Sequence, residues 1–586
     1  MTTTDAATPR KAAAIRLAIG LAQGIALFLL QKADESKAWP ATVPMLYAPL
    51  LVCVLMVPLL PLAALSAMRR ATLIAWTALA AGLTAILAVH AAWTGAEPQR
   101  LGAGPLSPPI FIAAAAPLFI AHHLVQPADA ARKPVAPYAD YFDLAWTNLI
   151  RLFLSLAFTG AFWLLLFLAG ALFKLIGVQA IQKLIGETAF AFPATGLMFA
   201  AAVHMAVQLT EARAGLVRGV RTVGLTLLAW LSPLMVVIAA GFLATLPFTG
   251  LAPLWGTKAA ASLLLSAAAA LIILINAAYQ DGIEPPSTIP RWAARIAGLL
   301  LIPIVILAAY ALWLRVDQYG LTPDRVFATA YLVVAIGFTV GYALAALKPG
   351  PWMKTLEPTN LIMAAVSVLL LIALFTPISD PARLSVGSQV KRLESGKVTA
   401  EEFDFQFLRF DSGRYGRDGL ERLKANPNAD VAKRAREAFS LTAKTYPKLD
   451  KPEFSKVTVY PAGKVLPESF RKQDWPAETG SPCIASGSEC PAVLLDIDGD
   501  GTDEVLLGAG ASFDIFKADT TGTWRKIAEA SSACDVGSLA ERLKSDAPRL
   551  SDPEEHRDLI VGGKRLSIRP ADPGCGELRT ILTPKP

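Results

Sequence analysis

Apolar residues fall into two regimes along this chain, and the change comes close to residue 377. Before it, long apolar runs alternate with short polar loops; after it, the runs shorten and charged residues become frequent. The long runs lie at 15–31, 45–67, 71–93, 108–126, 149–173, 190–209, 222–245, 259–279, 295–314, 325–347 and 359–377. Crossing the hydrocarbon layer takes about 20 mainly apolar residues in a helix, and a helix pairs its own backbone groups where no water is present. The pattern therefore predicts about eleven transmembrane helices over 15–377, behind a short N-terminal segment, 1–14. The fourth run is short, bounded by Pro108, Pro109 and Pro127. The fold class is a polytopic α-helical membrane protein with a C-terminal soluble α+β domain.

Within the polar region, 378–450 reads as a helical juxtamembrane segment. Thr399-Ala400-Glu401-Glu402 has the pattern of a capping box, with Phe403, Phe407, Leu408 and Phe410 following at roughly helical spacing. A second amphipathic stretch runs from Val431 to Leu441. The segment 451–586 reads as a β-rich domain. Its short runs of valine, isoleucine and aromatics, separated by Gly, Pro and Asp, predict strands at 456–460, 491–495, 504–508, 512–517, 523–528, 558–562, 564–568 and 578–582.

Charge sharpens this division. The chain is 54% hydrophobic and 17% charged, against about a quarter charged in soluble proteins. Its formal net charge is +7, yet residues 378–586 carry 31 Lys+Arg and 33 Asp+Glu, so the basic excess belongs to the membrane half. Basic residues there set orientation, and nucleic-acid binding is not supported. With the N-terminus in the cytosol, 15 of the 23 basic residues before 378 fall in inner loops and flanks. An odd number of spans then puts the tail outside. Arg10, Lys11 and Arg16 precede the first run as in a secretory signal, but Gln31-Lys32-Ala33-Asp34-Glu35 makes a poor cleavage site, so an uncleaved first helix is expected.

Of five cysteines, Cys53 lies in an apolar run, while Cys483, Cys490, Cys534 and Cys575 all fall in the tail. Disulfides persist in oxidising compartments, and the short separation favours Cys483–Cys490, leaving Cys534–Cys575. Zinc is the competing reading, but paired CxxC spacing is missing and His556 is the tail's one histidine.

The sharpest chemical motif is Asp496-Ile497-Asp498-Gly499-Asp500-Gly501-Thr502-Asp503-Glu504. Oxygen ligands at alternate positions wrap a hard cation, and Gly501 permits the bend. Asp496, Asp498 and Asp500 would ligate calcium by side chain, Thr502 by its carbonyl, and Glu504 would close the site. An EF-hand needs glutamate at loop position twelve, where Leu507 stands, and flanking helices where strands are expected. Residues 490–525 resemble a single strand–calcium loop–strand unit of the FG-GAP type. The implied role is structural, and the alternative is an acidic hairpin that binds no metal.

In the membrane half, His204, Gln208 and Glu211 share one helical face at spacings of four and three, forming a possible intramembrane polar site. His122, His123, Asn148, Arg151 and Asn276 are further polar groups. An ion or proton path is one reading; interfacial snorkelling and helix-to-helix hydrogen bonds are the other. No phosphate loop, GxSxG elbow, HExxH pair or cluster of catalytic carboxylates is present, so no catalytic residue is assigned.

Three stretches carry a family resemblance. They are Leu21–Gly24 with Lys37–Thr42; Ala145–Asn148 through Gly160–Trp163 to Leu172–Gly177; and Leu384–Val390 with Phe403–Phe405 and Gly413–Gly416. Over residues 15 to about 425 the chain resembles an uncharacterised family of bacterial inner-membrane proteins, a domain of unknown function numbered four-one-five-three. The resemblance implies a bacterial cytoplasmic membrane and a periplasmic tail, and carries over no site residues. The expected function is a non-enzymatic envelope binding, sensing or regulatory protein, with the lipid bilayer and a periplasmic protein or envelope ligand as partners. A transporter or channel is the second reading, and a membrane-embedded enzyme acting on lipid or envelope glycan the third.

Overall fold

A computed structural model describes residues 9–95, 108–256, 259–441, 444, 454, 457–473, 475, 490–509, 512–531, 559–561 and 564–566. The chain divides into two compact units, Met1–Lys444 and Thr445–Pro586.

In the first unit the chain runs through α1 (Pro9–Glu35), α2 (Pro44–Met56), α3 (Leu59–Ala64), α4 (Arg70–Gly95), α5 (Pro108–Ala131), α6 (Tyr138–Leu175), α7 (Ala180–Gly186) and α8 (Thr188–Ala212). It continues through α9 (Ala214–Ala229), α10 (Ser232–Thr249), α11 (Ala252–Gly256), α12 (Ala260–Tyr279), α13 (Thr288–Tyr319), α14 (Pro323–Leu347) and α15 (Leu356–Leu374). Eleven helices among the described residues are long and apolar enough to cross a membrane. Two of them are jointed. The second joins α2 to α3 at Val57–Pro58, where proline supplies no backbone N–H, and the seventh joins α9 to α10 ahead of Ser232–Pro233. The seventh span, Ala214–Thr249, exceeds the run 222–245 because it takes in Arg218 and Arg221.

The surfaces of these helices are apolar where they face outward. On α6, Phe153, Leu164, Leu165, Phe167 and Leu168 are all more than half exposed. Water would not tolerate such a continuous face; lipid does. Inside, the largest core joins α12, α13 and α14 around Leu271, Leu301 and Ile304. A hydrogen-bonded knot threads this region: Asn360 donates to Tyr138 (2.9 Å) and Asn276 (2.7 Å), and Tyr342 donates to Asn360 (2.6 Å). Between α1 and α8 the backbones approach closely. Gly20 and Gly24 on α1 lie against Gly196, Phe192 and Pro193 on α8, so that a Cβ at either α1 glycine would collide with opposing backbone. Without a hydrophobic drive between helices in lipid, such close backbone approach is what holds them together.

Three more helices complete this unit: α16 (Pro381–Glu394), α17 (Gly413–Leu423) and α18 (Ala429–Ser440). Asp380 caps α16, accepting from the backbone N–H groups of Ala382 (2.8 Å) and Arg383 (3.0 Å), and its second oxygen meets His90 Nε2 of α4 at 2.9 Å. The Thr399–Glu402 pair forms its reciprocal hydrogen bonds, but no helix grows from it. Phe403 and Phe405 are both buried and meet edge to face at 4.7 Å. That two-residue alternation is incompatible with one helical face, so the box closes a turn. A π-helical turn follows at Phe407–Asp411.

In the second unit five strands form one sheet in the order β1 (Thr458–Tyr460), β2 (Pro491–Leu495), β3 (Glu504–Ala509), β4 (Ser512–Ala518) and β5 (Trp524–Ser531). β1 pairs parallel with β2, and the remaining pairs are antiparallel. A separate hairpin joins β6 (Leu559–Val561) to β7 (Lys564–Leu566). Alternate residues Ala492, Leu494, Val505, Leu507 and Phe516 turn to one face and pack on Phe470 of a short helix, α19 (Glu468–Lys472). Cys490 is buried in that core. Cys53 is a free thiol. Cys483, Cys534 and Cys575 lie outside the described residues, as does the expected strand 578–582.

Candidate functional site

The turn joining β2 to β3 carries the acidic motif. β2 ends at Leu495 and β3 begins at Glu504, so the eight residues between are free to curl. Gly499 and Gly501 both take positive φ, 76° and 84°, which is the conformation that folds the turn back on itself. Asp496 is the organiser. Its carboxylate accepts from the backbone N–H groups of Gly499 (2.7 Å), Asp500 (3.2 Å) and Gly501 (2.9 Å). At the far end, Glu504 Oε2 accepts from Ile497 N–H at 2.9 Å. The remaining oxygen, Glu504 Oε1, is fully buried and makes no hydrogen bond.

Of the five expected metal ligands, Asp496, Asp498 and Glu504 are brought together, each offering an oxygen within 4.8 Å of the others. Asp500 instead accepts from the backbone N–H (2.9 Å) and hydroxyl (2.5 Å) of Thr502. A residue outside the motif completes the arrangement. Lys517 on β4 donates to Asp498 and to Asp500 (2.5 Å) and stands 3.4 Å from Glu504 Oε1. Its ammonium and the Thr502 donors hold the Asp500 carboxyl down at about 2, while the same carboxylates push Lys517 up. An all-oxygen donor set with one buried carboxylate oxygen held only by a distant ammonium fits a hard divalent cation. Lys517 supplies a single positive charge to the same group.

The intramembrane polar residues are joined across helices. Arg16 of α1, 1% exposed, donates to Leu62 O (2.9 Å) and to His204 Nδ1 (3.0 Å). Because guanidinium only donates, His204 Nδ1 accepts and Nε2 carries the ring proton; the 3.1 Å contact with the Gln208 amide group is then a hydrogen bond with the carboxamide turned to present its oxygen to the ring. Glu211 is drawn away to Arg151 of α6, at 3.5 Å, and Arg151 also donates to Thr210 (2.8 Å) and Asn148 (3.3 Å). His123 donates from Nδ1 to Phe119 O (2.6 Å) and accepts from Asn148 at Nε2 (3.2 Å). Thus His204 and Gln208 are in contact, Glu211 belongs to a neighbouring cluster, and both clusters are centred on arginines. On the same footing, Arg221 is buried between Asp143 and Asp281.

Eleven membrane-length helices with outward apolar faces and polar groups knotted between them define a polytopic helical membrane protein. The chain belongs to a family described as a domain of unknown function (DUF4153), whose profile matches residues 50–423. No curated protein and no solved structure matches it. The acidic turn lies beyond the matched region.

Proposed function

We propose that this is a non-enzymatic protein of the bacterial cytoplasmic membrane, whose second unit is a calcium-stabilised binding or sensing module on the periplasmic side. The observation that carries this reading is the β2–β3 turn, where Asp496, Asp498 and Glu504 converge and one buried Glu504 oxygen faces only the Lys517 ammonium, at 3.4 Å. Calcium bound there would neutralise the carboxylates and fix the turn, with Asp496, Asp498 and Glu504 as its holders and Asp500 recruited once Lys517 swings away. The lysine and arginine bias of the loops and the odd number of spans support a cytosolic N-terminus and an external tail. Disulfides Cys483–Cys490 and Cys534–Cys575 suit the same compartment.

Equilibrium dialysis of the full chain in lipid nanodiscs against radioactive calcium tests the site. One ion per chain is expected at millimolar calcium, and none for Asp498→Asn. Stoichiometry below one tenth in the wild type would remove calcium from the proposal.

A further inference from the structure

A cavity of about 220 Å³ opens among α3, α5, α6 and α8. Its walls are apolar, formed by Leu60, Leu118, Phe199 and Val203, and Phe119 and Leu152 at its edge are 41% and 39% exposed, so it opens sideways toward lipid. A dry apolar cavity of roughly 150 Å³ already accommodates a benzene-sized body. One end is polar in a specific way. His122, 4% exposed, lines it; its Nδ1 accepts from Trp76 Nε1–H at 3.2 Å, which places the ring proton on Nε2. Neither that Nε2–H nor the side-chain oxygen of Gln126, one turn on, has a well-formed partner; the two interact only as a loose hydrogen bond, which a phosphate oxygen would have to displace. Arg151 lines the cavity too, hydrogen-bonded to Asn148, which in turn donates to His123 beside His122.

The charge there does not balance. Arg16 and Arg151 stand close enough to repel each other, and the carboxylate facing them among the described residues is Glu211. Glu211 reaches Arg151 only at 3.5 Å, with its side chain 64% exposed. A cation held in a membrane bundle calls for a well-made counter-charge. Basic pockets between membrane helices are suited to anionic head groups.

We infer that this cavity is a binding site for one anionic phospholipid of the surrounding bilayer. An acyl chain enters between Phe119 and Leu152, and the phosphate is taken by Arg151 with His122 Nε2–H as a second donor. Glu211 then turns fully into water. The leaflet concerned is the one on the N-terminal side of α1, where Arg16 stands.

The test uses the purified full chain in detergent, with lipid adducts counted by native mass spectrometry and thermal stability followed on adding phosphatidylglycerol, phosphatidylcholine or inorganic phosphate. One retained phosphatidylglycerol per chain and a rise in melting temperature are expected, with phosphatidylcholine and inorganic phosphate giving neither. Arg151→Gln should weaken phosphatidylglycerol binding about tenfold, as loss of a charge-assisted hydrogen bond implies. Val203→Trp, which fills the cavity and leaves the guanidinium in place, should do the same, and it serves as the test should Arg151→Gln fail to fold. Equal binding of both lipids, stabilisation by inorganic phosphate alone, or wild-type phosphatidylglycerol binding in Val203→Trp would each overturn the site.

Discussion

Replacing Asp498 by asparagine separates metal binding from the folding of the turn. Asp496 accepts three backbone N–H groups and Glu504 a fourth, so removing either dismantles the loop whether or not a cation is present. Asp498 has a different surrounding: the hydrogen bond found for it among the described residues is from Lys517. Asp498→Asn therefore deletes a ligand charge and leaves the turn's own hydrogen bonds in place. External calcium modules bind at about 0.1–1 mM. At 10 mM calcium, linkage then stabilises the folded unit by about 1.4–2.7 kcal/mol, which for a unit of this size is roughly 4–10 °C in Tm. Differential scanning fluorimetry of the full chain, with and without 10 mM calcium, reads the shift. The wild type should gain this increment and Asp498→Asn should lose most of it. Lys517→Met removes the competing ammonium, so its melting temperature without metal should fall while its calcium increment grows. An equal shift in wild type and Asp498→Asn, or a Lys517→Met variant that responds less than the wild type, would refute the assignment.

Acid should loosen the same turn. The Asp500 carboxyl is held at about 2, below its unfolded value near 3.9, so its contribution is complete above pH 4 and is lost as the pH falls toward 2; a calcium-free melting series across that window checks this. In the first unit, Asp380→Ala removes both the α16 cap and the His90 partner, and is expected to cost about 2–4 kcal/mol, read as a lower melting temperature of the membrane unit. His90→Ala combined with it should add less than its own separate effect. Gly20→Val drives a side chain into the backbone of Gly196 and should lower the stability of the full chain by at least about 1–3 kcal/mol, whereas Gly82→Val, which meets open space, should be tolerated.

Much of the fold was legible because hydrocarbon imposes a single rule. Once backbone groups must be paired internally, runs of about 20 apolar residues have one outcome, and the eleven runs reappear as eleven helices with shifted ends. The strands from 491 to 528 were readable from their valine, isoleucine and aromatic content between Gly, Pro and Asp, and those residues supply the core of the sheet. What escaped was pairing between distant segments. Gly20 and Gly24 form a small-residue ridge visible in α1, but nothing local says that Gly196 is opposite. The Phe403–Phe405 alternation was hidden under a sound capping box, which has the right hydrogen bonds and the wrong consequence. Lys517 was the most recoverable omission. Val505 pairs with Phe516 in the β3–β4 hairpin, so one further step along both strands sets Glu504 against Lys517. Counting the register back from the hairpin turn would have found the lysine. His122 and Arg151 were recognised as polar, but their shared cavity depends on four helices meeting, and no spacing along one helix reports that.

The side of the membrane on which the second unit stands can be measured without any ligand. Alkaline phosphatase fused after Pro586, which is active only once exported, should give strong activity in whole cells, with a cytosol-dependent fluorescent reporter at the same position remaining dark. The reverse pattern, bright fluorescence and an inactive phosphatase, would leave four thiols and an acidic turn in a reducing, calcium-poor space, and would contradict both the bridges and the metal.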